Sequence, residues 1–360
     1  MRVLFNLLDA GIGGGQRVAL EVARRLMADG ETLGLLVPGA GPAADEFRSL
    51  GADVHLADLQ TLRRMSGVGP AALFGQRFDV VYSHTSVPGE ILGSRVARRA
   101  NIAHVVHRHT DPHLSPNPST RFVQRRLYRR DLRMTPFIAV AAHVAARLEG
   151  LGIPRERIVV LANGVDADAV RARAGTVEPR GTGLAVGVLG RFDPSRGLDV
   201  FVGSLRRVRT PGVTFVIGGA PGPFLDHESA VRGAAARAGV VIEEPGPAGV
   251  EFLASLDVVV MPSRYEGSPL TLFEAMALAR PVVASRIPGI AEVLEPNDAG
   301  VLVPPDDPDA LARAIASLCA DPARRAALGR RALETVRRDH DLEQVLDRIG
   351  EILRVAAAGR

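Results

Sequence analysis

"LDVVVMPSRYEGSPLTLFEAMALARPVVAS", residues 256–285, holds two β-branched runs separated by a stretch with helical spacing. The first run ends at Pro262-Ser263, and the second starts at Pro281. Parallel strands cannot be joined by a tight turn and need a crossover, usually a helix. Strand, helix and strand in succession therefore predict an α/β fold with a parallel sheet.

The turn between strand and helix has its own chemistry. Ser268 reads as an N-cap with Pro269 at the first helical position, where a missing N–H costs nothing. The amides of Leu270 and Thr271, with the helix dipole, would make an anion site. Glu274 falls about six residues into that helix, roughly 9 Å along its axis. Glu266 lies before it, next to Gly267. The order is carboxylate, phosphate-sized gap, carboxylate. A nucleotide-sugar has a matching order of sugar hydroxyls, diphosphate and ribose hydroxyls, and a carboxylate can take two hydrogen bonds from a vicinal diol. The alternative is a solvated Glu266 and a Glu274 that caps or salt-bridges within the fold.

The same alternation runs outward in both directions. "RVLFNLL" (2–8), "ETLGLLVP" (31–38), "FDVVYSH" (78–84), "AHVVHRH" (103–109) and "FIAVAA" (137–142) read as strands, with helical spacing between them. The pattern dissolves at "DADAVRARAGTVEPRGTG" (166–183), which reads as a linker, and restarts with "LAVGVLG" (184–190). Further strands follow at "VTFVIGG" (213–219) and "GVVIEEPG" (239–246). Two doubly wound Rossmann-like domains are expected, 1–170 and 180–340, facing across a cleft where ligands would bind. A length of 360 residues suits two such domains.

Composition narrows the function. All 44 basic residues are arginine, and the chain has no lysine. That excludes a pyridoxal-phosphate Schiff base and the lysine of a P-loop NTPase. A net charge of +4 coexists with a pI near 10.1 because arginine stays protonated past pH 12. Aromatic residues are only 4% and tryptophan is absent, which argues against stacking platforms for nucleic acid. One cysteine, Cys319, can form no internal disulfide, so a cytoplasmic location is expected. The first apolar run is too short for a signal peptide, and no run is long enough to span a bilayer.

The glutamate-spaced stretch "EGSPLTLFEA" resembles the motif of the retaining GT-B glycosyltransferases, especially glycosyltransferase family 4. The resemblance extends through "GGGQRVALEVARRLMADG" (13–30), "IVVLANGVD" (158–166), "GVLGRFDPSRGLDVFV" (187–202) and the segment from Pro262 to Ile315. It implies a GT-B fold, with an acceptor-side first domain and a donor-binding second domain. The helix at about 342–356 would pack back on the first domain. It implies transfer of a sugar from a UDP- or GDP-linked donor to a hydroxyl, with retention of configuration and without a metal or other cofactor. Glu274 would bind the ribose, and Glu266 the donor sugar. Arg191 and Arg196 would clamp the diphosphate, with Arg196 standing where the family usually has lysine. Gly13 and Gly14 would face the diphosphate, with Gly267, Ser268, Leu270 and Thr271 completing the donor site. His109 would point at the donor sugar, with His107 as competitor for that role and His84 toward the acceptor. The acceptor would be a small molecule, a glycan or a lipid-linked compound.

Three features stay open at this level. His104, His107, His109 and His113 cluster in sequence, but no second cluster supports the usual zinc spacings. The acidic pairs at 166–168 and 305–309 read as turn and cap residues rather than metal ligands. "RFVQRRLYRRDLR" (121–133) carries six arginines and is a candidate for weak peripheral membrane contact, an anionic acceptor site or a solvated face. A GT-B sugar-nucleotide epimerase and a non-catalytic nucleotide-sugar-binding protein are the alternative functions. The missing lysine excludes a phosphorylase.

Overall fold

The computed structural model describes residues 1–7, 9–56, 75, 77–111, 117–175, 177, 180, 183–206, 208, 211–245 and 249–359. The chain divides into two units, Met1–Asn163 with Glu343–Arg360, and Gly164–Leu342.

In the first unit, seven strands form one parallel sheet: β1 (Arg2–Leu7), β2 (Thr32–Val37), β3 (Asp53–Leu56), β4 (Val80–His84), β5 (Ala103–Arg108), β6 (Phe137–Ala139) and β7 (Ile158–Val160). Their spatial order is β3-β2-β1-β4-β5-β6-β7. Val3, Leu4 and Phe5 on β1 are fully buried, as expected where helices cover both faces of a parallel sheet. The strand order reverses between β1 and β4, and ligands of open α/β sheets bind beyond the carboxyl ends at such a point. The helix Leu342–Ala358 supplies Glu343 and Asp347 as partners of Arg25, and Arg354 Nη2 donates to Asp29 at 2.8 Å.

The second unit repeats the plan with β8 (Leu184–Arg191), β9 (Val213–Ala220), β10 (Val241–Glu243), β11 (Val258–Met261), β12 (Val282–Ser285) and β13 (Val301–Val303). The order is β10-β9-β8-β11-β12-β13, so it reverses between β8 and β11. Successive residues of β11 point to opposite faces, which divides the core. Val259 packs with Phe273 and Met276 on one side, and Val258 and Val260 pack with Phe201 and Leu311 on the other.

The stretch 166–183 is not all linker. Ala167–Ala174 is a helix whose cap, Asp166, accepts from the Ala169 amide at 2.8 Å. Ala174 packs against Val250 and Ala254. Only Ala167 and Ala174 of this helix are buried, so it lacks the apolar stripe that would mark it in the sequence. The acidic run at 305–309 ends in a second cap, where Asp307 accepts from the amides of Asp309 and Ala310 at 3.0 and 2.8 Å.

Candidate active site

The reversal point of the second sheet gathers the residues of the opening motif. β8 ends at Arg191, which is exposed, and a 3-10 turn, Pro194–Arg196, follows. Asp193 fixes that turn by accepting from the Ser195 amide at 2.8 Å and its hydroxyl at 2.7 Å. Burial pushes the Asp193 carboxyl up. The Ser195 bonds and the nearby Arg191 and Arg196 outweigh it and leave the pKa below the usual value.

The turn is pressed against the end of β11. Gly197 has φ +65°, and a Cβ there would stand 2.0 Å from the Pro262 carbonyl oxygen. Only glycine allows both the left-handed conformation and the close approach. The approach brings the Arg196 guanidinium onto Glu266 Oε1, which also accepts from the Ser263 hydroxyl at 2.9 Å. Burial works against the charge of Arg196, and the Glu266 carboxylate more than offsets it. Glu266 is 7% exposed and Glu274 2%. Two buried carboxylates are costly unless paired, which speaks against solvated surface roles.

The helix that carries Glu274 runs Leu270–Ala277, one residue later than the sequence implies. Its N-cap is Pro269 (φ −75°, ψ 120°) rather than Ser268, and no side chain caps it. Leu270 and Thr271 are its first two residues, so their amides have no acceptor within the helix. Gly267 lies against the next helix, where a Cβ at Gly289 would stand 2.3 Å from the carbonyls of Glu266 and Gly267.

Arg264 was missed in the sequence. Its guanidinium holds both oxygens of Asp199 at 3.0 and 2.7 Å and Asp306 at 2.7 Å, and its amide donates to Ser195 at 2.8 Å. It ties the loop after β11 to the Pro194–Arg196 turn, and so positions Glu266 against Arg196. Its place within "SRYEG" was the available signal.

The first unit brings its predicted residues together at the β1–β4 reversal. Gly13 caps the helix Gly14–Ala28, whose first amides point away from the helix, and its own amide donates to Gln16 Oε1 at 3.2 Å. A Cβ at Gly14 would meet no atom within 4 Å, whereas one at Gly15 would stand 3.1 Å from His109 Cδ2. His84 at the end of β4, His107 on β5 and His109 just past it form a cluster. His84 Nδ1 and His109 Nε2 are 2.8 Å apart, and the Tyr82 hydroxyl lies 2.7 Å from His107 Nδ1. The His107 and His109 rings stack with centroids 4.3 Å apart. His84 and His107 are 6% and 3% exposed, so neither presents an open ring at the surface.

His104 does not belong to this group. Its Nε2 meets the Ser83 hydroxyl at 2.9 Å, while His113 lies outside the described residues. Sequence proximity grouped His107 and His109 correctly, added His104 and left out His84, which comes from a neighbouring strand. Burial lowers the pKa of all three clustered rings. His109 adds to the effect at His84 and His107, and the Arg108 charge helps bring His109 to about 3. All three imidazoles are therefore neutral at pH 7. Beside them Arg108 pairs with the buried Glu90 at 2.6 Å, and Tyr128 donates to the other Glu90 oxygen at 3.0 Å. This pair was also missed, although a glutamate on the apolar face of "PGEILGSRVA" was its signal.

The chain matches two family descriptions, "Glycosyltransferase Family 4" over residues 12–169 and "Glycosyl transferases group 1" over residues 183–321. WcaL of Escherichia coli (strain K12), named for colanic acid biosynthesis as a glycosyltransferase, is 33% identical over 62% of this chain. The match covers 56% of WcaL, so this chain spans little more than half of that relative. A D-inositol 3-phosphate glycosyltransferase of Kribbella flavida is 27% identical over 83% of this chain and 77% of its own. The crystal structure of Anabaena HepE in complex with UDP-glucose is similar in fold, with a TM-score of 0.84 and 21% identity. That similarity covers 99% of this chain and 100% of HepE.

Proposed function

Because the chain belongs to the glycosyltransferases of group 1, family 4, and has their GT-B fold, we propose that it moves a sugar from a UDP- or GDP-linked donor to an acceptor hydroxyl. The observation that carries this reading is the pair of buried carboxylates, Glu266 and Glu274, around a helix start and an arginine at one sheet reversal. Glu274 takes the ribose diol, and the Leu270 and Thr271 amides take phosphate oxygens. Arg191 and Arg196 meet the charge that grows on the leaving diphosphate. Arg196 pairs with Glu266, and donor binding exchanges this contact for phosphate and sugar hydroxyls. Gly13 and Gly14 offer backbone amides, and neutral His109 offers a ring nitrogen to the sugar.

Retention of configuration follows the family, with the departing phosphate taking the acceptor proton. No metal is needed for the diphosphate, since two arginines and a helix terminus supply counter-charge. The acceptor is a small molecule, a glycan or a lipid-linked compound. Among the described residues no helix is long and apolar enough to cross a membrane. The helix Pro118–Leu132 exposes Phe122 (67%) and Val123 (52%) beside arginines, which supports weak peripheral contact with an anionic membrane from the cytoplasmic side.

The clustered neutral histidines favour one second reading, an epimerase with acid and base groups around the sugar. Incubation with nucleotide-sugars in the absence of acceptor separates the two: an epimerase changes the sugar, and a transferase hydrolyses it slowly. A binding protein does neither, and that result would end both readings. Glu274→Ala should weaken binding of the free nucleoside diphosphate, while Glu266→Ala spares it and lowers transfer. Equal diphosphate affinity in wild type and Glu274→Ala would remove the ribose assignment.

A further inference from the structure

We propose that His84, His107 and His109 form a binding site for a divalent transition ion, zinc before others. Each ring offers one nitrogen, and the three nitrogens lie within 4.8 Å of one another. Two imidazoles on one tetrahedral zinc, at 2.0–2.1 Å each, have nitrogens roughly 3.3 Å apart. His84 Nδ1 and His109 Nε2, at 2.8 Å, need only a small opening to become two such ligands.

The hydrogen bonding of the cluster supports the assignment. Among the described residues, His107 Nε2 is buried without a hydrogen-bond partner, as are His84 Nε2 and His109 Nδ1. A native interior rarely leaves such an atom unexplained, and an ion on His107 Nε2 would account for it. The Tyr82 hydroxyl on His107 Nδ1 leaves Nε2 as that ring's ligand atom, the outer-shell arrangement that orients metal-binding histidines. When zinc takes His84 Nδ1 and His109 Nε2, the proton they share moves to a free nitrogen of the same pair. The rings are already neutral, so no net proton is released. Arg108, next to His109 in the chain, is paired with Glu90.

Three imidazole donors suit zinc, copper or nickel, whereas magnesium and calcium call for oxygen. Three protein ligands also leave the fourth position open. If His109 serves the donor sugar as proposed above, the ion withdraws that ring, and the site is inhibitory.

The test uses the metal-stripped chain, zinc chloride and no donor, with binding followed by calorimetry and equilibrium dialysis. One zinc per chain is expected, with magnesium showing no saturable binding. Tyr82→Phe, which keeps the ring and deletes the hydroxyl, should weaken zinc about 10–100-fold. His107→Ala should abolish the site, and the visible spectrum of the cobalt(II) form should disappear with it. His227→Ala, outside the cluster, should bind as wild type does. The proposal is overturned if wild type binds no zinc saturably, or if Tyr82→Phe and His107→Ala both bind it unchanged. Circular dichroism melts show whether His107→Ala has folded; should it fail, Tyr82→Phe decides. Zinc binding without loss of sugar transfer would keep the site and instead refute the donor role of His109.

Discussion

Arg196 and Glu266 lie 70 residues apart in sequence and share one ion pair, so a change in either removes a charge partner of the other. Removing a preorganised charge donor from a transition state costs 10²–10³ in rate, roughly 3–4 kcal/mol. Arg196→Ala should lower kcat by about that factor, and Arg196→Lys, which keeps the charge, should retain most activity. Near-wild-type kcat in Arg196→Ala with the cognate donor would show that the diphosphate is held elsewhere. His109 gives a second prediction at this scale, read on metal-free protein in EDTA. Its folded pKa of about 3 is below the ordinary value near 6.5, so the unfolded chain binds the proton first as pH falls. The stability it contributes is fully present above pH 6.5 and is lost as pH falls from there toward 3. At pH 5 the loss from this ring is about 2 kcal/mol, visible as a lower melting temperature than at pH 7.5. A melting temperature unchanged between these pH values would mean that the ring titrates normally. Glu266, Glu274 and Arg196 were legible because the motif spaces them along one short stretch or places them beside a strand end. Arg264 was not, since its meaning depends on Asp199 and Asp306, 65 and 42 residues away.

Where elements meet, glycine decides the distance. Gly197 combines φ +65° with the Pro262 carbonyl 2.0 Å from the position of a Cβ, and Gly30 has φ +79° with nothing within 4 Å. Gly30→Ala should therefore cost about 1–2 kcal/mol, the left-handed penalty alone. Gly197→Ala adds about 1–3 kcal/mol for the clash and moves the Arg196 turn away from Glu266, so donor affinity should fall with stability. Equal melting temperatures for the two variants would show that the turn can move without cost. The strand–helix alternation was legible because both sheets bury their strands on two faces and so write continuous apolar runs. The helix Ala167–Ala174 was hidden because a short helix held by a cap and two alanines looks like a polar loop. Ser268 was read as a cap by residue type, yet the backbone at Pro269 takes the extended conformation that ends the loop.

Across the molecule, each unit owns a complete sheet and its own core, but only the second is continuous in sequence. A fragment spanning 164–342 should fold alone and bind nucleoside diphosphate, with a single cooperative melt. Failure of that fragment to bind would show that the first unit contributes essential diphosphate contacts. The break in the alternation at 166–183 falls just after the division at Asn163 and Gly164, whereas the return of residues 343–360 to the first unit, with Arg25, Asp29 and their partners, is marked by no local pattern. That return has a consequence for the order of synthesis. The amino-terminal unit emerges from the ribosome first yet lacks its closing helix until residues 343–360 follow, after the whole of the second unit. Until then Leu346, Ile349 and Leu353, all nearly fully buried in the finished protein, have not been made, and the surface they cover stays open to chaperones and to other nascent chains. A stop codon after residue 342 should therefore yield a chain that aggregates through its first half while its second half is soundly folded.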